Sequence, residues 1–448
     1  MNRRDVMKGA ALGVAGPAVW ASQNEAVSQT YAKAARGLPP LKITKVKAIQ
    51  TAPNGTAFTV VKVETSEPGL YGVGCASLQP RQYPVAVVVN EYLDPFARGK
   101  DPANIEDMWQ TAYVSSYWRN GPVLNNSLSG LDMALWDIKA KRCGVPLYQL
   151  LGGKCRFAVE CYGHADAPDL ARLEANVKRF MSEGFRHVRI QLGGYGSPQM
   201  SGNKPDYKEA GFGMAEDGFQ DTLPYTESVP KMFEHIRKTC GEKIELIHDI
   251  HERVHPLDAI NMIKAVTPYR PFAMEDPFAP EDNGYFRILR QQSSVPIFMG
   301  ELFTNPQEWV PLISERLIDY IRVHISHIGG ITPALKIARL AEWFNVRTAW
   351  HGPGNVSPIG HSVNAHIDLA IWNFGIQESV DRNWPKESQE VFPGCPTFKN
   401  GYMFVNEVPG HGVDVDERAA AKYPYPPFPQ GMSLRIPVRK RDGSAIRP

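Results

Sequence analysis

The hydrophobic and polar residues follow a strand pattern in the first part of the chain and then change to a helical spacing. β-rich segments at residues 43–51, 58–64 and 71–77 predict three strands, which Gly55 and the Pro68-Gly69 pair separate. Apolar residues then recur at steps of four and three, the spacing of one helix face: Leu124, Leu128, Leu131, Leu135 and Ile138. These patterns predict a small α+β domain over residues 41–153.

After residue 153 short apolar segments alternate with amphipathic segments of helical period. The predicted strands end near Tyr162, Gln191, Asp249, Glu275, Glu301, Ile325, Trp350 and Gln377. Apart from the step after Gln191, these ends lie about 25 to 30 residues apart, the length of one βα unit. Eight such units predict an α/β fold of the (β/α)8, TIM-like kind over residues 154–400. Residues 401–448 are expected to pack back toward the first domain.

The step after Gln191 is longer than the others and has a different composition. About 30 residues rich in Gly, Pro, Ser and Asp separate this strand from the next helix. A stretch of that length inside a barrel is usually a functional loop, so we predict a lid over the site. A disordered insertion is the alternative.

The N-terminal residues resemble an export signal. Arg3 and Arg4, with Met7 and Lys8 behind them, precede a short, weakly apolar run, so residues 1–21 are expected to be a twin-arginine signal and residues 22–40 a linker. The apolar run is too short to span a bilayer. We therefore predict a periplasmic protein without stable membrane insertion, and a cytoplasmic one if the paired arginines are a coincidence.

Composition and charge narrow the classes of function. The net charge is +2 and the one basic block is the short run at residues 439–441, so nucleic acid is not expected as a partner. The six cysteines form no CxxC pair and lie mostly in apolar runs, which favours buried free thiols over a disulfide framework or a zinc site.

Three predicted barrel strands end in an acidic residue. Asp249, Glu275 and Glu301 are separated by 26 and again by 26 residues, so each holds the same place in consecutive βα units. That place is the carboxyl-terminal rim of the barrel, where catalytic groups collect. Three converging carboxylates repel one another unless a cation lies between them, and an all-oxygen ligand set suits Mg²⁺. Such a cation would stabilise the enolate formed when the carbon beside a bound carboxylate loses its proton.

Further polar residues fall near the same rim. His251 lies two residues after Asp249, and His351 follows the seventh predicted strand. Arg189 lies on the second strand, while His164 and Glu378 follow the first and the eighth. A general acid and a general base are needed beside the carboxylate, and these residues are candidates for both. Solvated loop histidines and structural salt bridges are the alternatives.

From Lys42 to its end the chain resembles the enolase superfamily, and within it the mannonate dehydratase-like group. The motifs are YWRNGP at 117–122, LDMALWDIKAK at 131–141, PLYQLLGG at 146–153, CYGHA at 161–165, HGP at 351–353 and NFGIQE at 373–378. The resemblance implies a modified (β/α)7β barrel with an N-terminal α+β capping domain. The Lys-x-Lys pair of other superfamily members is replaced by Arg189 and Gln191, and the sixth strand shows no Asp-His dyad.

The resemblance also implies residue roles. Asp249, Glu275 and Glu301 would bind one Mg²⁺ per subunit, and His251 would protonate the departing hydroxyl. Arg189 would belong to the proton-abstracting side. The residues implied to contact the sugar-acid substrate are His351, also a catalytic candidate, His164 and Glu378.

The chain departs from the group at three positions. The expected loop tyrosine, which would act as the base with Arg189, falls near Ser201, and Tyr195 is the nearest phenol. An expected substrate-binding Asn corresponds to Gln79, and an expected C-terminal Trp is replaced around Ile446. The metal and acid groups are thus kept, while the base and the specificity contacts differ, so mannonate is not assigned as the substrate.

The leading hypothesis is a carbon–oxygen lyase that dehydrates an aldonate to a 2-keto-3-deoxy acid. A carboxylate racemase or epimerase, with His351 as one of two opposed bases, is the second. A non-catalytic metal- and ligand-binding homologue is the third, since the expected tyrosine is missing. Homo-oligomers are expected by analogy with the superfamily.

Overall fold

A computed structural model describes residues 40–193, 218–219, 222–379, 383–426, 438–440 and 444–447. The chain divides into two units, Met1–Lys42 and Ile43–Pro448, and the elements of secondary structure belong to the second. The predicted signal and linker lie outside the described residues, apart from residue 40, as do most residues of the predicted lid.

The N-terminal part is an antiparallel sheet covered by helices. Its strands, in the order β1-β2-β3, are Ile43–Thr51, Phe58–Thr65 and Tyr71–Cys75. The helices that follow are α1 (Gln82–Val88), α2 (Asp94–Ala97), α3 (Ile105–Ser115), α4 (Pro122–Cys143) and α5 (Leu147–Leu150). The predicted strands and long helix are therefore present, with β3 ending two residues earlier than expected.

Close contact between α4 and the sheet explains the glycines at their interface. A Cβ atom on Gly72 would lie 2.0 Å from the carbonyl oxygen of Ala134, and one on Gly74 would lie 2.2 Å from that of Gly130. A Cβ on Gly130 itself would meet Val61 Cγ2 at 2.3 Å. Only glycine permits the helix backbone to approach the strands this closely.

The second part contains eight parallel strands. They are β4 (Val159–Ala167), β5 (His187–Leu192), β7 (Glu245–Asp249), β8 (Ala273–Glu275), β9 (Ile297–Met299), β10 (Tyr320–Ile321), β11 (Arg347–Thr348) and β12 (Gln377–Glu378). Strand β6 (Gly218–Phe219) lies between the second and third of them along the chain and belongs to a separate small sheet. Neighbours pair in this order from β4 to β11, and β12 pairs with β4. An isolated bridge between Thr348 and Phe374 joins the seventh strand to the segment before the eighth, so the regular ladder is interrupted there.

A helix follows each of the first seven parallel strands. They are α6 (Leu170–Ser182), α7 (Thr222–Cys240), α8 (Pro256–Val266), α9 (Tyr285–Gln292), α10 (Pro306–Ser314), α11 (Ile331–Trp343) and α12 (Pro358–Ala370). This is the predicted (β/α)7β order, and the fold class is confirmed. A buried inner layer fills the ring: Tyr162, Ile247, Ala273, Phe298, Tyr320, Ala349 and Ile376.

Several predicted element ends were wrong. The first barrel strand continues to Ala167 instead of ending near Tyr162, while the sixth and seventh stop at Ile321 and Thr348 instead of Ile325 and Trp350. Val323 and Ile325 are buried but lie outside the ladder. Apolar composition therefore reports their burial and not their strand pairing, which explains the error.

The C-terminal part contacts both regions. Strands β13 (Thr397–Lys399) and β14 (Tyr402–Phe404) form a hairpin that pairs antiparallel with β4 of the barrel, after helix α13 (Lys386–Val391). Helix α14 (Glu417–Ala420) reaches the N-terminal sheet, because Glu417 forms ion pairs of 2.8 Å with Lys47 and with Lys62. The predicted limits of the domains stay predictions.

The cysteines are less uniformly buried than expected. Cys75 and Cys161 are buried, Cys240 and Cys395 are partly buried, and Cys143 and Cys155 are exposed. Within the described residues, every helix is too short or too polar to cross a bilayer.

One buried carboxylate joins the N-terminal helix α4 to the barrel. Asp132 accepts hydrogen bonds from the backbone N–H and the hydroxyl of Thr332, the first at 3.0 Å, at the start of α11. A Cβ on Gly330, whose φ is 107°, would lie 2.5 Å from the Asp132 carboxylate, so this approach requires glycine. Burial raises the pKa of Asp132 to about 7.

We expect the stability of the Asp132→Asn variant, relative to that of the wild type, to increase as the pH rises. The pKa is 3.8 before burial and about 7 in the folded protein, so the folded state binds the proton more strongly. The protonated Asp132 therefore contributes its full stabilisation when the pH is below the lower of these two pKa values. This stabilisation is lost as the pH rises through the higher, folded-state pKa. Calorimetric melting temperatures from about pH 4 to pH 8 should show the difference growing by a few degrees. The exposed Asp107→Asn is the control, and a pH-independent difference for Asp132→Asn contradicts the prediction.

Candidate active site

Three buried carboxylates come together at the rim of the barrel, where strands β7 and β8 end. Asp249, Glu275 and Asp276 each offer an oxygen, and these oxygens lie within 4.8 Å of one another. Asp249 and Glu275 are 0% exposed and Asp276 is 3% exposed. Among the described residues, this is the group whose spacing fits a bound metal ion.

Strand pairing places the first two of these residues side by side. Asp249 is the register partner of Glu275 in the parallel ladder, and the N–H of Ile250 donates to the Glu275 carbonyl at 3.0 Å. The third faces the same side because the chain leaves the strand after Glu275: Asp276 has a φ of 38° and accepts from the N–H of Gly300 at 3.0 Å. A left-handed residue thus adds a second carboxylate from one strand end.

Glu301 lies beside this cluster and faces a different set of partners. Its carboxylate is 2.5 Å from Arg322 Nη1, 3.3 Å from His351 Nε2 and 3.5 Å from His251 Nε2. The backbone N–H of His251, in turn, donates to Asp249 Oδ1 at 2.8 Å. Glu301 and His251 therefore lie at the rim as predicted, with the two histidines against one carboxylate.

Arg322 is the central residue that the sequence analysis missed. Its side chain is 0% exposed, and its guanidinium lies 2.6 Å from Glu275, 2.6 Å from Glu378 and 2.5 Å from Glu301. It also contacts Asp276 at 3.4 Å. Four carboxylates thus share one buried cation. The signal was an arginine inside the apolar sixth strand region, Ile321-Arg322-Val323, because a buried charge in such a run requires partners.

Arg189 and His164 contact two other carboxylates of the site. Arg189 Nη1 lies 3.1 Å from Asp249, and Nη2 lies 3.6 Å from the half-exposed Asp166. His164 Nε2 is 2.8 Å from Glu378, whose other oxygen accepts from the N–H of Gly352 at 2.7 Å. Arg189, His164 and Glu378 are therefore brought to the same rim as the metal-type carboxylates.

Burial and charge separate the protonation states of the acidic residues. Burial raises the pKa of Glu275 and of Asp276 well above the ordinary values, against the effect of Arg322. Burial also opposes ionisation of Glu301, but His351, Arg322 and His251 outweigh it and hold the pKa of Glu301 well below its ordinary value. Arg322 does the same for Glu378, where it lowers the pKa against burial.

Burial disfavours the protonated form of the histidines near the site. Burial lowers the pKa of His351 to about 3, and burial with the nearby Arg189 lowers the pKa of His164. His324 and His327, which the sequence analysis did not select, stack at a centroid distance of 3.8 Å, and His324 lies 5.2 Å from His351. Their spacing of three residues could have pointed to a stacked pair.

Of the positions at which the chain departs from its group, the structure describes one in full, and that position is Gln79. Gln79 is exposed and lies in the loop after β3. The Cys75 carbonyl at the end of β3 accepts a hydrogen bond from the Ser326 hydroxyl at 3.3 Å, which links the start of that loop to the barrel. Tyr195 and Ser201 lie outside the described residues, and so does the side chain of Ile446.

Comparison with known proteins defines the class. Residues 30–152 match the mandelate racemase / muconate lactonizing enzyme N-terminal domain, and residues 172–419 match the enolase C-terminal domain-like family. The chain is thus a member of the enolase superfamily, as its motifs predicted. More particularly, it belongs to the D-galactonate dehydratase family, because members of that family are half identical to it over nearly its whole length. A dehydratase is a hydro-lyase, so the predicted enzyme class is confirmed.

Relatives and solved structures cover nearly the whole chain. A D-galactonate dehydratase family member from Musicola paradisiaca is 50% identical over 425 residues, or 91% of this chain and 99% of the relative. RspA of Pantoea ananatis is 50% identical over 419 residues, with the same coverage. A Pantoea ananatis enolase structure with bound D-gluconate and Mg matches with a TM-score of 0.85 and 48% identity, over 91% of this chain and 100% of that one.

We expect Arg322→Met to destabilise the metal-free protein by about 3–5 kcal/mol near pH 8, because it leaves buried carboxylates without their cation. Those carboxylates would then have raised folded-state pKa values, so the loss should shrink as the pH falls and they take up protons. Thermal unfolding with a chelator at about pH 5 and pH 8 measures this.

The matched control is Arg237→Met. Arg237 is also buried, but its guanidinium donates mainly to backbone carbonyls, including those of Tyr269 at 2.8 Å and Ile244 at 2.6 Å. Its loss should therefore be similar at both pH values. Equal pH dependence of the two variants would contradict the shared-cation interpretation of Arg322.

Proposed function

We propose that this protein is a Mg²⁺-dependent dehydratase of a sugar acid. It would remove the proton beside the carboxylate of an aldonate and eliminate the β-hydroxyl, which gives a 2-keto-3-deoxy acid. The observation that carries the proposal is the buried carboxylate cluster at the barrel rim, together with the cationic and imidazole groups that contact its carboxylates: His251, His351, Arg189 and His164.

The donor set fits a hard divalent cation. Asp249, Glu275 and Glu301 would hold it, with Asp276 as the competing third ligand, since its oxygen lies within 4.8 Å of the first two. All of these donors are carboxylate oxygens in a buried site, which suits Mg²⁺. When bound, the ion supplies positive charge that stabilises the negative charge developing on the substrate carboxylate. The related Pantoea ananatis structure carries Mg and D-gluconate, which supports both choices.

Proton abstraction would take place on the Arg189 side. The guanidinium lies 3.1 Å from Asp249 and is buried, so its position is fixed. A phenol placed beside such a cation ionises more readily, because the charge favours the phenolate. We propose Tyr195 as this base, in the segment that follows the second barrel strand.

Hydroxide departure would take place on the His251 side. Glu301 lies 3.5 Å from His251 Nε2, and the backbone N–H of His251 donates to Asp249, so the ring is oriented from two directions. A histidine held in a fixed orientation can donate a proton to the hydroxyl group that leaves the substrate. His351, His164 and Glu378 would bind the hydroxyls of the sugar acid, and Gln79 would reach it from the N-terminal domain.

We also propose export through a twin-arginine signal at residues 1–21, and a periplasmic location, on the strength of Arg3 and Arg4. A homo-oligomer is proposed by analogy with the superfamily. A fusion of residues 1–40 to a reporter that is active only outside the cytoplasm tests the signal, with Arg3→Lys and Arg4→Lys together as the variant that should abolish export.

The reaction is tested in D₂O with Mg²⁺ and a panel of aldonates that includes D-gluconate and its stereoisomers. Proton NMR should show a 2-keto-3-deoxy acid from at least one of them. His251→Asn should keep exchange of the proton beside the carboxylate but lose at least about a hundredfold in product formation, because only the leaving group is affected. Exchange with inversion and without keto acid would indicate an epimerase, and no change across the panel would favour a binding protein.

The ligand set is tested by Mg²⁺ titration calorimetry. Glu275→Gln and Asp249→Asn should each weaken Mg²⁺ binding by more than about tenfold, while the exposed Asp258→Asn should leave it unchanged. Glu301→Gln should weaken Mg²⁺ binding as much as these two substitutions do, whereas Asp276→Asn should have only a small effect on Mg²⁺ binding. If instead Asp276→Asn weakened binding strongly and Glu301→Gln did not, Asp276 would be a ligand in place of Glu301.

A further inference from the structure

One side chain of the N-terminal domain reaches two loops at the rim of the barrel. Asn125 lies near the start of α4 and is 2% exposed. Its Nδ2 donates to the carbonyl oxygen of Thr304 and to that of His327, at 2.7 Å each. Thr304 belongs to the loop after β9, residues 300–305, and His327 belongs to the loop after β10, residues 322–330. A single amide group thus joins two neighbouring rim loops.

The two acceptors explain why an amide stands at this position. Both are backbone carbonyl oxygens, which only accept hydrogen bonds, and the side-chain nitrogen of Asn125 carries two hydrogens. The same requirement fixes which end of the amide is nitrogen and which is oxygen. A carboxylate of the same shape would place further acceptors against these carbonyl oxygens, and an apolar side chain would remove their shared donor.

Both loops lead to Glu301. This residue lies three positions before Thr304 in the loop after β9. From the loop after β10, the imidazole of His327 donates its Nδ1 hydrogen to the Glu301 carbonyl oxygen at 3.0 Å, because that oxygen can only accept. Asn125, His327 and the segment from Glu301 to Thr304 therefore form a closed set of contacts between the two loops.

The loop after β10 also reaches the Glu301 carboxylate through stacked imidazoles. The ring of His327 stacks on that of His324 at a centroid distance of 3.8 Å, with an angle of 8° between the rings. His324 lies 5.2 Å from His351, whose Nε2 is 3.3 Å from the Glu301 carboxylate. A shift of the His327 backbone would therefore act on Glu301 from two directions.

Other contacts with the N-terminal domain fix the later part of the same loop. Trp109 Nε1 donates to the Gly329 carbonyl at 2.8 Å, and Asp132 accepts from the backbone N–H of Thr332 at 3.0 Å. Asn125 differs from both because it also reaches the loop that carries Glu301.

We propose that Asn125 is a positioning residue, which holds the two rim loops together and so orients the Glu301 carboxylate toward the metal site. This inference rests on the proposed function, in which Glu301 binds Mg²⁺. Loss of the amide should weaken Mg²⁺ binding and lower kcat, because residues that orient a metal ligand affect its affinity and small displacements slow the reaction. KM for the sugar acid should change less, since Asn125 contacts the loop backbones.

The test compares Asn125→Asp and Asn125→Leu with the wild type. Titration calorimetry should show an Mg²⁺ dissociation constant about tenfold higher in both variants. At saturating Mg²⁺, kcat on the sugar acid that the wild type converts should fall about tenfold, with KM within about threefold. Asn125→Leu provides the measurement if the carboxylate variant fails to fold.

Asn373→Leu is the control, because it removes the same kind of contact elsewhere. Asn373 Nδ2 also donates to two backbone carbonyls, those of Ala338 at 3.1 Å and Val346 at 3.0 Å. Val346 directly precedes β11, so this bridge lies at the opposite, amino-terminal end of the barrel. Asn373→Leu should lower the melting temperature to a similar extent but leave Mg²⁺ affinity and kcat unchanged. Equal Mg²⁺ affinity in the Asn125→Leu and Asn373→Leu variants would overturn the positioning role.

Hydrogen exchange of the metal-free proteins separates a failure of this inference from a failure of the proposed function. The amide of Phe303 donates to the Gly300 carbonyl, and that of Ile328 donates to the His324 carbonyl. Both amides should exchange faster in Asn125→Leu than in Asn373→Leu. If they do, and Asn125→Leu binds Mg²⁺ more weakly while the wild type converts no aldonate, the dehydratase proposal fails and the positioning role stands. Equal exchange rates in the two variants would contradict the positioning role itself.

Discussion

The structure depends on the cost of placing several carboxylates in one water-poor site. Asp249, Glu275, Asp276, Glu301 and Glu378 are all buried at the barrel rim, and the guanidinium of Arg322 touches four of them. If all of them were ionised, the single positive charge of Arg322 would leave most of the negative charge uncompensated. Repulsion at such short distances is strong where the dielectric constant is low. Burial raises the pKa values of Glu275 and Asp276 well above their ordinary values, so the protein alone favours their protonated forms. A divalent cation would displace those protons, so metal binding should release protons to solvent.

The barrel makes this arrangement possible because its ladder fixes the acids before any ligand arrives. Asp249 and Glu275 are register partners, and their strands are buried on both faces. Behind Asp249, His248 links two elements: its Nδ1 lies 2.9 Å from the Ile190 carbonyl and its Nε2 lies 2.9 Å from the Tyr225 hydroxyl. Supporting contacts of this kind hold ligand side chains in a constant orientation. Below the site, Tyr162 joins the inner layer to the chemistry, since its hydroxyl contacts Arg322 at 3.2 Å and Glu275 at 3.3 Å.

Periodic features of the site can be predicted from the sequence, whereas features that arise from local backbone turns cannot. The repeat of 26 residues located Asp249, Glu275 and Glu301, because every βα unit returns the chain to the same rim. Asp276 was not selected, since alternation along a strand would send the residue after Glu275 to the other face; its left-handed φ of 38° reverses that. His251, with a φ of 55°, is turned in the same way, but it was predicted at the rim from its place two residues after Asp249. Arg322 was missed because its partners are 21 to 56 residues away along the chain, so no local pattern shows them.

The residues proposed to carry out the reaction and the residues that differ from the group lie in different parts of the fold. The metal-type acids, Arg322 and Arg189 lie on or next to barrel strands, where the ladder and the packed interior restrict them. The positions at which the chain departs from its group, Gln79, Tyr195 or Ser201, and Ile446, belong instead to the N-terminal domain, the connection after β5 and the end of the chain. Segments of this kind change their contacts without disturbing the core. Relatives that are half identical can therefore share a metal site and an acid while they accept different sugar acids, so the family name alone does not identify the substrate.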